Sequence, residues 1–188
     1  TALLPTIRSR CQTVPMPPLP EADAARILAG RGIPPARAAL CSRMEGGSVG
    51  KALALAQDNQ AWALRERTLR ALSLLTTPGR VLDAAHLLRD EKEHSADILN
   101  TLEFFARDAL RAGLTGETPE DGPERAVLDR LIQAGPRAQL ALLEALGRGR
   151  RQLANHLPWQ TVLETCMLTW IEVLHHGEGS RRPVSQSQ

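Results

Sequence analysis

Pro158-Trp159-Gln160-Thr161-Val162-Leu163-Glu164-Thr165-Cys166-Met167-Leu168-Thr169-Trp170-Ile171-Glu172-Val173-Leu174 is the stretch that decides the fold class. Wound at about 3.6 residues per turn, Trp159, Val162, Leu163, Cys166, Trp170, Val173 and Leu174 fall on one face. Pro158, with its fixed φ and no N–H to satisfy, suits the first turn of such a helix. Fully burying one of these side chains is worth roughly 1.5–3 kcal/mol, so the helix is expected to anchor a bundle.

The same period recurs upstream. Val81, Ala84, Ala85 and Leu88 fall at i, i+3, i+4 and i+7. Ile98, Leu102, Phe105 and Ala109 mark another helix, and Leu142, Leu143, Leu146 and Leu153 a third. Composition agrees: Tyr is absent, Phe and Trp are sparse, and Leu and Ala dominate, so residues that favour strands are few. The expected fold is all-α.

Ahead of the bundle stands Val14-Pro15-Met16-Pro17-Pro18-Leu19-Pro20, which cannot be helical because each proline fixes its own backbone and biases its predecessor toward extended geometry. Three short helices are expected behind it. The first runs from Glu21 to about Gly30, with acids in its opening turn. The second starts at Pro34-Pro35, carries Leu40 and Met44 on one side and is stopped by Gly46-Gly47. The third is capped by Ser48 and runs to about Asp58. These make a small module over residues 14–60, followed by a longer helical region over 61–177. A polar, Gly/Pro-rich loop between Gly113 and Pro123 interrupts that region, and the tail over 178–188 is expected to be disordered.

The formal charge of +2 rests almost wholly on arginine, Lys51 and Lys92 being the two lysines, and gives no general pull toward nucleic acid or membrane. Cys11, Cys41 and Cys166 are odd in number and have no zinc-ligand spacing, so free buried thiols in a reducing cytoplasm are expected. No apolar run approaches the roughly 20 residues that cross a bilayer. Opening on Thr1 within what reads as a strand-to-loop passage, the chain reads as the rear part of a longer protein.

Two motifs carry functional weight. Gly46-Gly47-Ser48-Val49-Gly50-Lys51-Ala52-Leu53 is not a phosphate loop: Glu45 stands where that loop needs its first glycine, Ala52 cannot ligate magnesium, and a helix precedes it. Near the start, Leu3-Leu4-Pro5-Thr6-Ile7-Arg8-Ser9-Arg10-Cys11 holds an arginine between two small residues. A guanidinium stays charged at any useful pH and can grip two phosphate oxygens at once, which suits a group lent to a neighbour's phosphate.

Ser9-Arg10-Cys11 resembles the Ser-Arg-Cys signature of clamp-loader subunits of the AAA+ class, and Gly47-Ser48-x-Gly50-x-Ala52-Leu53 resembles the start of their third lid helix. The order of features, with an Asn155-x-x-Pro158 turn before the last helix, is similar to the delta-prime family of the bacterial DNA polymerase III clamp loader. The family's second Asn near that turn is Leu157 here. Residues 1–13 would then be the end of an ATPase core, 14–60 the lid, and 61–177 the collar through which subunits form a ring.

The resemblance implies a subunit that helps load the sliding clamp on primed DNA during replication, in the cytoplasm and without contact with a membrane. The chain would bind no cofactor itself, and ATP-Mg would sit in the neighbouring subunit. Its partners would be the ATPase and delta subunits of a pentameric ring, with the clamp and primer-template DNA reached through the complex. That complex is a DNA-directed DNA polymerase, a nucleotidyltransferase, but no complete active site is visible in this chain. Arg10 would act as an arginine finger in trans, Ser9 would position the loop by hydrogen bonding and Cys11 by packing, with Arg8 as a second contact. In hydrolysing subunits an arginine two residues after the lid serine touches the nucleotide. Gly50 occupies that place here, Lys51 points about a quarter turn away, and a glycine there is expected to allow close packing.

Rival readings remain. An ATP-hydrolysing subunit shares Ser-Arg-Cys and the lid, but Gly50 argues against it. An independent helical nucleic-acid module would use Arg148, Arg150 and Arg151, against which the near-neutral charge weighs. His86, Asp90 and His94 lie four apart and could line a helix face that holds a metal. Their mixed-charge surroundings read better as a solvated helix end, and His175-His176 as a fraying C-terminus.

Overall fold

In a computed structural model, the structure describes residues 10–12, 14, 16–116 and 124–179, with side chains as far as His175. Among these residues there is no strand, and nine α-helices and two short 3-10 helices make up the regular structure. The all-α expectation holds. Contacts divide the chain between Asn59 and Gln60 into two compact units.

The first unit contains α1 (Glu21–Gly30), α2 (Pro35–Met44) and α3 (Val49–Gln57), each packed on the other two. Glu21 and Asp23 occupy the first turn of α1, where carboxylates oppose the positive end of the helix dipole. Pro35 takes the first position of α2, where its missing N–H costs nothing. The core is small: Ala24, Leu28, Ala38, Cys41, Ala52 and Ala56 are buried. Leu40 and Met44, read from the sequence as lying on one side of α2, are half-buried. Ala38, Cys41 and Ser42 face inward, because alanine-lined α1 and α3 leave room only for small side chains.

The second unit contains α4 (Asn59–Leu74), α5 (Val81–His86), α6 (Ser95–Thr115), α7 (Arg125–Ala134), α8 (Pro136–Ala154) and α9 (Trp159–Gly179). The four stripes read from the sequence meet in one cluster, where Leu88, Ile98, Phe105, Leu142, Val162 and Trp170 are each at most 1% exposed. Leu143, Leu153, Val173 and Leu174 pack on its margin. The last helix runs to Gly179 rather than stopping at 177; the remainder of the tail and residues 117–123 lie outside the described residues. Pro158 precedes α9 and its carbonyl accepts from the Val162 N–H at 3.2 Å.

Long side chains also tie the helices of this unit together. Trp159 Nε1 donates to the Leu88 carbonyl at 3.0 Å, fixing the start of α9 over the end of α5. Arg130 on α7 donates to the carbonyls of Leu72 and Leu75 at 3.0 and 2.8 Å. These acceptors stand at the C-terminal end of α4, where cations are favoured, and burial pulls the Arg130 pKa down from its ordinary value. Gly149 lets α8 approach α9: a Cβ there would stand 3.1 Å from both Cys166 Sγ and Val162 Cγ1. Asn155, His156 and Leu157 close α8 with the bond pair of a Schellman turn, which places His156 at φ 62°.

Candidate functional site

Arg10 and Cys11 are the described part of the Ile-Arg-Ser-Arg-Cys loop, and Arg8 and Ser9 lie outside the described residues. Arg10 sits in a turn with its side chain exposed. Cys11 is exposed as well, which corrects the expectation of a buried thiol at this position. From Arg10 to Pro20 every described residue is exposed and none is helical.

The strip that follows is held at one point. Leu19 N–H donates to the Gly47 carbonyl at 3.3 Å. Gly47 adopts φ +79°, and a Cβ on it would fall 1.8 Å from the Leu19 carbonyl oxygen. Gly47 therefore both ends α2 and gives the extended strip its seat.

Ser48 occupies the N-cap of α3, as expected, but its hydroxyl makes no capping bond. Gly50 is exposed, and a Cβ there would meet nothing within 4 Å. The expectation of close packing at Gly50 is thus overturned, since this turn of α3 faces away from α1 and α2 while Ala52 and Ala56 face inward. Lys51 is exposed beside it. This opening turn presents one cation and an empty position.

The remaining expected sites come apart or are committed elsewhere. His86 ends α5, whereas His94 belongs to a separate short 3-10 turn, Lys92–His94, so the two do not share a helix face. His94 Nδ1 lies 3.8 Å from Asp97 Oδ2 and its Nε2 3.3 Å from Gln60 Nε2. Among the described residues no group of three or more His, Cys, Asp or Glu side chains could hold a metal. His175 is exposed near the end of α9. Of the arginine cluster, Arg148 and Arg151 are exposed. Arg150 instead turns inward to Asn100 Oδ1 at 2.9 Å and to Glu103, which Arg107 also engages.

Two buried groups escaped the sequence reading. Arg65, 4% exposed, pairs with Glu124 Oε1 at 2.7 Å, and its guanidinium carbon lies 5.6 Å from the ring centroids of both Trp62 and Phe105. Its position on the stripe of Thr68, Leu69 and Leu72 was the available signal. Burial pushes the Cys166 thiol up to about 11, with Arg148 pulling weakly the other way. An open cleft of about 280 Å³ between α5 and α9 has Leu82, Ala85, His86 and Arg89 along one wall and Gln160 and Glu164 along the other. Its acids are already engaged, Asp83 by Arg80 at 2.9 Å and Glu164 by Gln160 at 2.8 Å.

No helix among the described residues is long and apolar enough to cross a membrane. Arg10, like Lys51, Arg148 and Arg151, is an exposed cation that the sequence singled out. Compared with known proteins, the chain matches no protein-family model, no curated protein and no solved structure.

Proposed function

We propose that this chain is the lid and collar part of a delta-prime-like subunit of a bacterial clamp loader, acting in DNA replication in the cytoplasm. Its first helical unit serves as the lid and its second as the collar that joins a ring of subunits. Arg10 reaches the γ-phosphate of ATP-Mg held by the adjacent ATPase subunit and offsets charge that builds during hydrolysis. The chain holds no nucleotide of its own; clamp and primer-template DNA are engaged by the assembled ring.

One observation carries this reading. An exposed arginine within Ser-Arg-Cys precedes a three-helix unit whose third helix opens on Ser48 with no side chain at position 50. A guanidinium lent in trans contributes on the order of 10³–10⁵ in rate in well-studied nucleotide hydrolases.

The test is Arg10→Ala in a reconstituted ring. Because Arg10 is exposed, the variant keeps its melting temperature and joins the ring, while DNA-stimulated ATP turnover at the adjoining site falls on the order of 10³-fold. Unchanged turnover in a ring that contains the variant refutes the role. Deleting Trp159 to Leu174 removes the helix that closes the second unit and abolishes assembly; a ring that still forms refutes the collar assignment.

A further inference from the structure

Met16-Pro17-Pro18-Leu19-Pro20 is exposed at every residue, with Met16 at 91% the most exposed of the large apolar side chains described. Nothing in the replication role above uses it. Proline fixes φ at three of the five positions and biases Met16, Pro17 and Leu19, which each precede a proline, toward extended ψ. Pro20 shows the result directly, at φ −52° and ψ 138°. These restraints favour a left-handed polyproline helix of about three residues per turn, in which Pro17 and Pro20 share one edge and Met16 and Leu19 another.

The hydrogen-bonding character of the strip is one-sided. Pro17, Pro18 and Pro20 have no N–H, and the N–H of Leu19 is given to the Gly47 carbonyl at 3.3 Å. From Pro17 to Pro20 the strip therefore offers no donor; the Pro20 carbonyl is taken by the N–H groups of Asp23 and Ala24 and that of Leu19 lies against Gly47, so the carbonyls of Pro17 and Pro18 and the apolar rings are what it presents. Another strand edge cannot pair with it, and a partner has to bring donors set among flat apolar surfaces. Indole N–H and phenol O–H groups in an aromatic-lined groove supply both, with ridges that take prolines at i and i+3. A second copy of this chain is a poor match, because Trp62 and Phe104 are half-buried, Phe105, Trp159 and Trp170 are buried, and Tyr is absent.

We propose that Met16–Pro20 is a docking strip for a partner protein with an aromatic-lined, polyproline-binding groove. The clamp between Leu19 and Gly47 holds the strip extended in advance, which lowers the ordering cost of binding relative to a free peptide. This inference does not depend on the role of Arg10.

The experiment titrates the full 188-residue chain into an isotope-labelled WW domain with Tyr and Trp in its groove, followed by NMR. The groove resonances are expected to shift, and the Pro17→Ala/Pro18→Ala variant, which leaves the Leu19–Gly47 bond and the start of α1 in place, weakens binding at least about tenfold. Its unchanged melting curve separates that loss from unfolding. Absence of shifts with the intact chain overturns the proposal. So does binding that the proline variant leaves intact, binding by a peptide of residues 14–22 but not by the chain, or self-association of the chain without groove shifts.

Discussion

Removing charge from Glu124 should cost the second unit more than removing it from Arg65, although the two form one ion pair. The side chain of Arg65 is 5% exposed and that of Glu124 19%, with 2.7 Å between Nη2 and Oε1. Nε and Nη2 of Arg65 are both buried without a hydrogen bond among the described residues, so the Glu124 carboxylate, close to Nη2 but not aligned as a hydrogen bond, is the main described charge offsetting it. With charge centres about 4 Å apart and an effective dielectric near 20, the attraction is about 4 kcal/mol. The partial exposure of Glu124 screens it to about half. Glu124→Gln keeps size and shape but strands the guanidinium between the rings of Trp62 and Phe105, and should lower stability by about 2 kcal/mol. Arg65→Met places an apolar chain between the same rings and leaves a carboxylate that water can reach, and should cost under about 1 kcal/mol. The double variant should be less destabilised than Glu124→Gln alone. All three tryptophans lie beyond residue 60, so their fluorescence during thermal or urea unfolding reports the second unit by itself. A loss of about 2 kcal/mol would appear as a fall of roughly 8 °C in Tm. A silent Glu124→Gln, or an Arg65→Met that costs more, would show that the pair is not asymmetric and that burial of Arg65 does not govern its energetics.

Other outcomes follow from the glycines and thiols. Gly47→Ala would put a methyl group 1.8 Å from the Leu19 carbonyl and a side chain at φ +79°, so it should expel the Met16–Pro20 strip. The strip's susceptibility to proteolysis should rise sharply while the fluorescence melt of the second unit stays put. Gly50→Ala meets open space in the first turn of α3 and should stabilise the first unit by up to about 1 kcal/mol, seen as greater amide protection in α3. Cys11 should react with a thiol reagent in the native protein near neutral pH and Cys166 should not. Because the folded-state pKa of Cys166 is raised from 9.0 to about 11, the native state keeps a proton that the unfolded state loses. Its contribution is complete below pH 9, declines as pH rises toward 11, and amounts to roughly 2–3 kcal/mol that Cys166→Ala should remove from the pH profile.

What the chain's order of residues determined by itself was local. Spacings such as Val81, Ala84, Ala85, Leu88 and Trp159, Val162, Leu163, Cys166 specify both helix and buried face, because neighbours along the chain set that period. Pro35 and Gly46-Gly47 mark ends for the same reason: backbone freedom at one position decides them. Tertiary structure alone decided which polar groups were already engaged and which glycines were crowded. Arg150 reads as one of three clustered cations until Glu103, 47 positions away, takes it up. Gly47, Gly50 and Gly149 look alike as letters, yet one lies against Leu19, one meets open space and one faces Cys166. Ala38, Cys41 and Ser42, rather than Leu40 and Met44, are the buried residues of α2 because the size of the space depends on the opposing helices. Cys11 was expected to be buried and is exposed, since burial requires a second element to close over it. Periodicity is a property of one helix, whereas pairing, crowding and exposure belong to two elements brought together from distant parts of the chain.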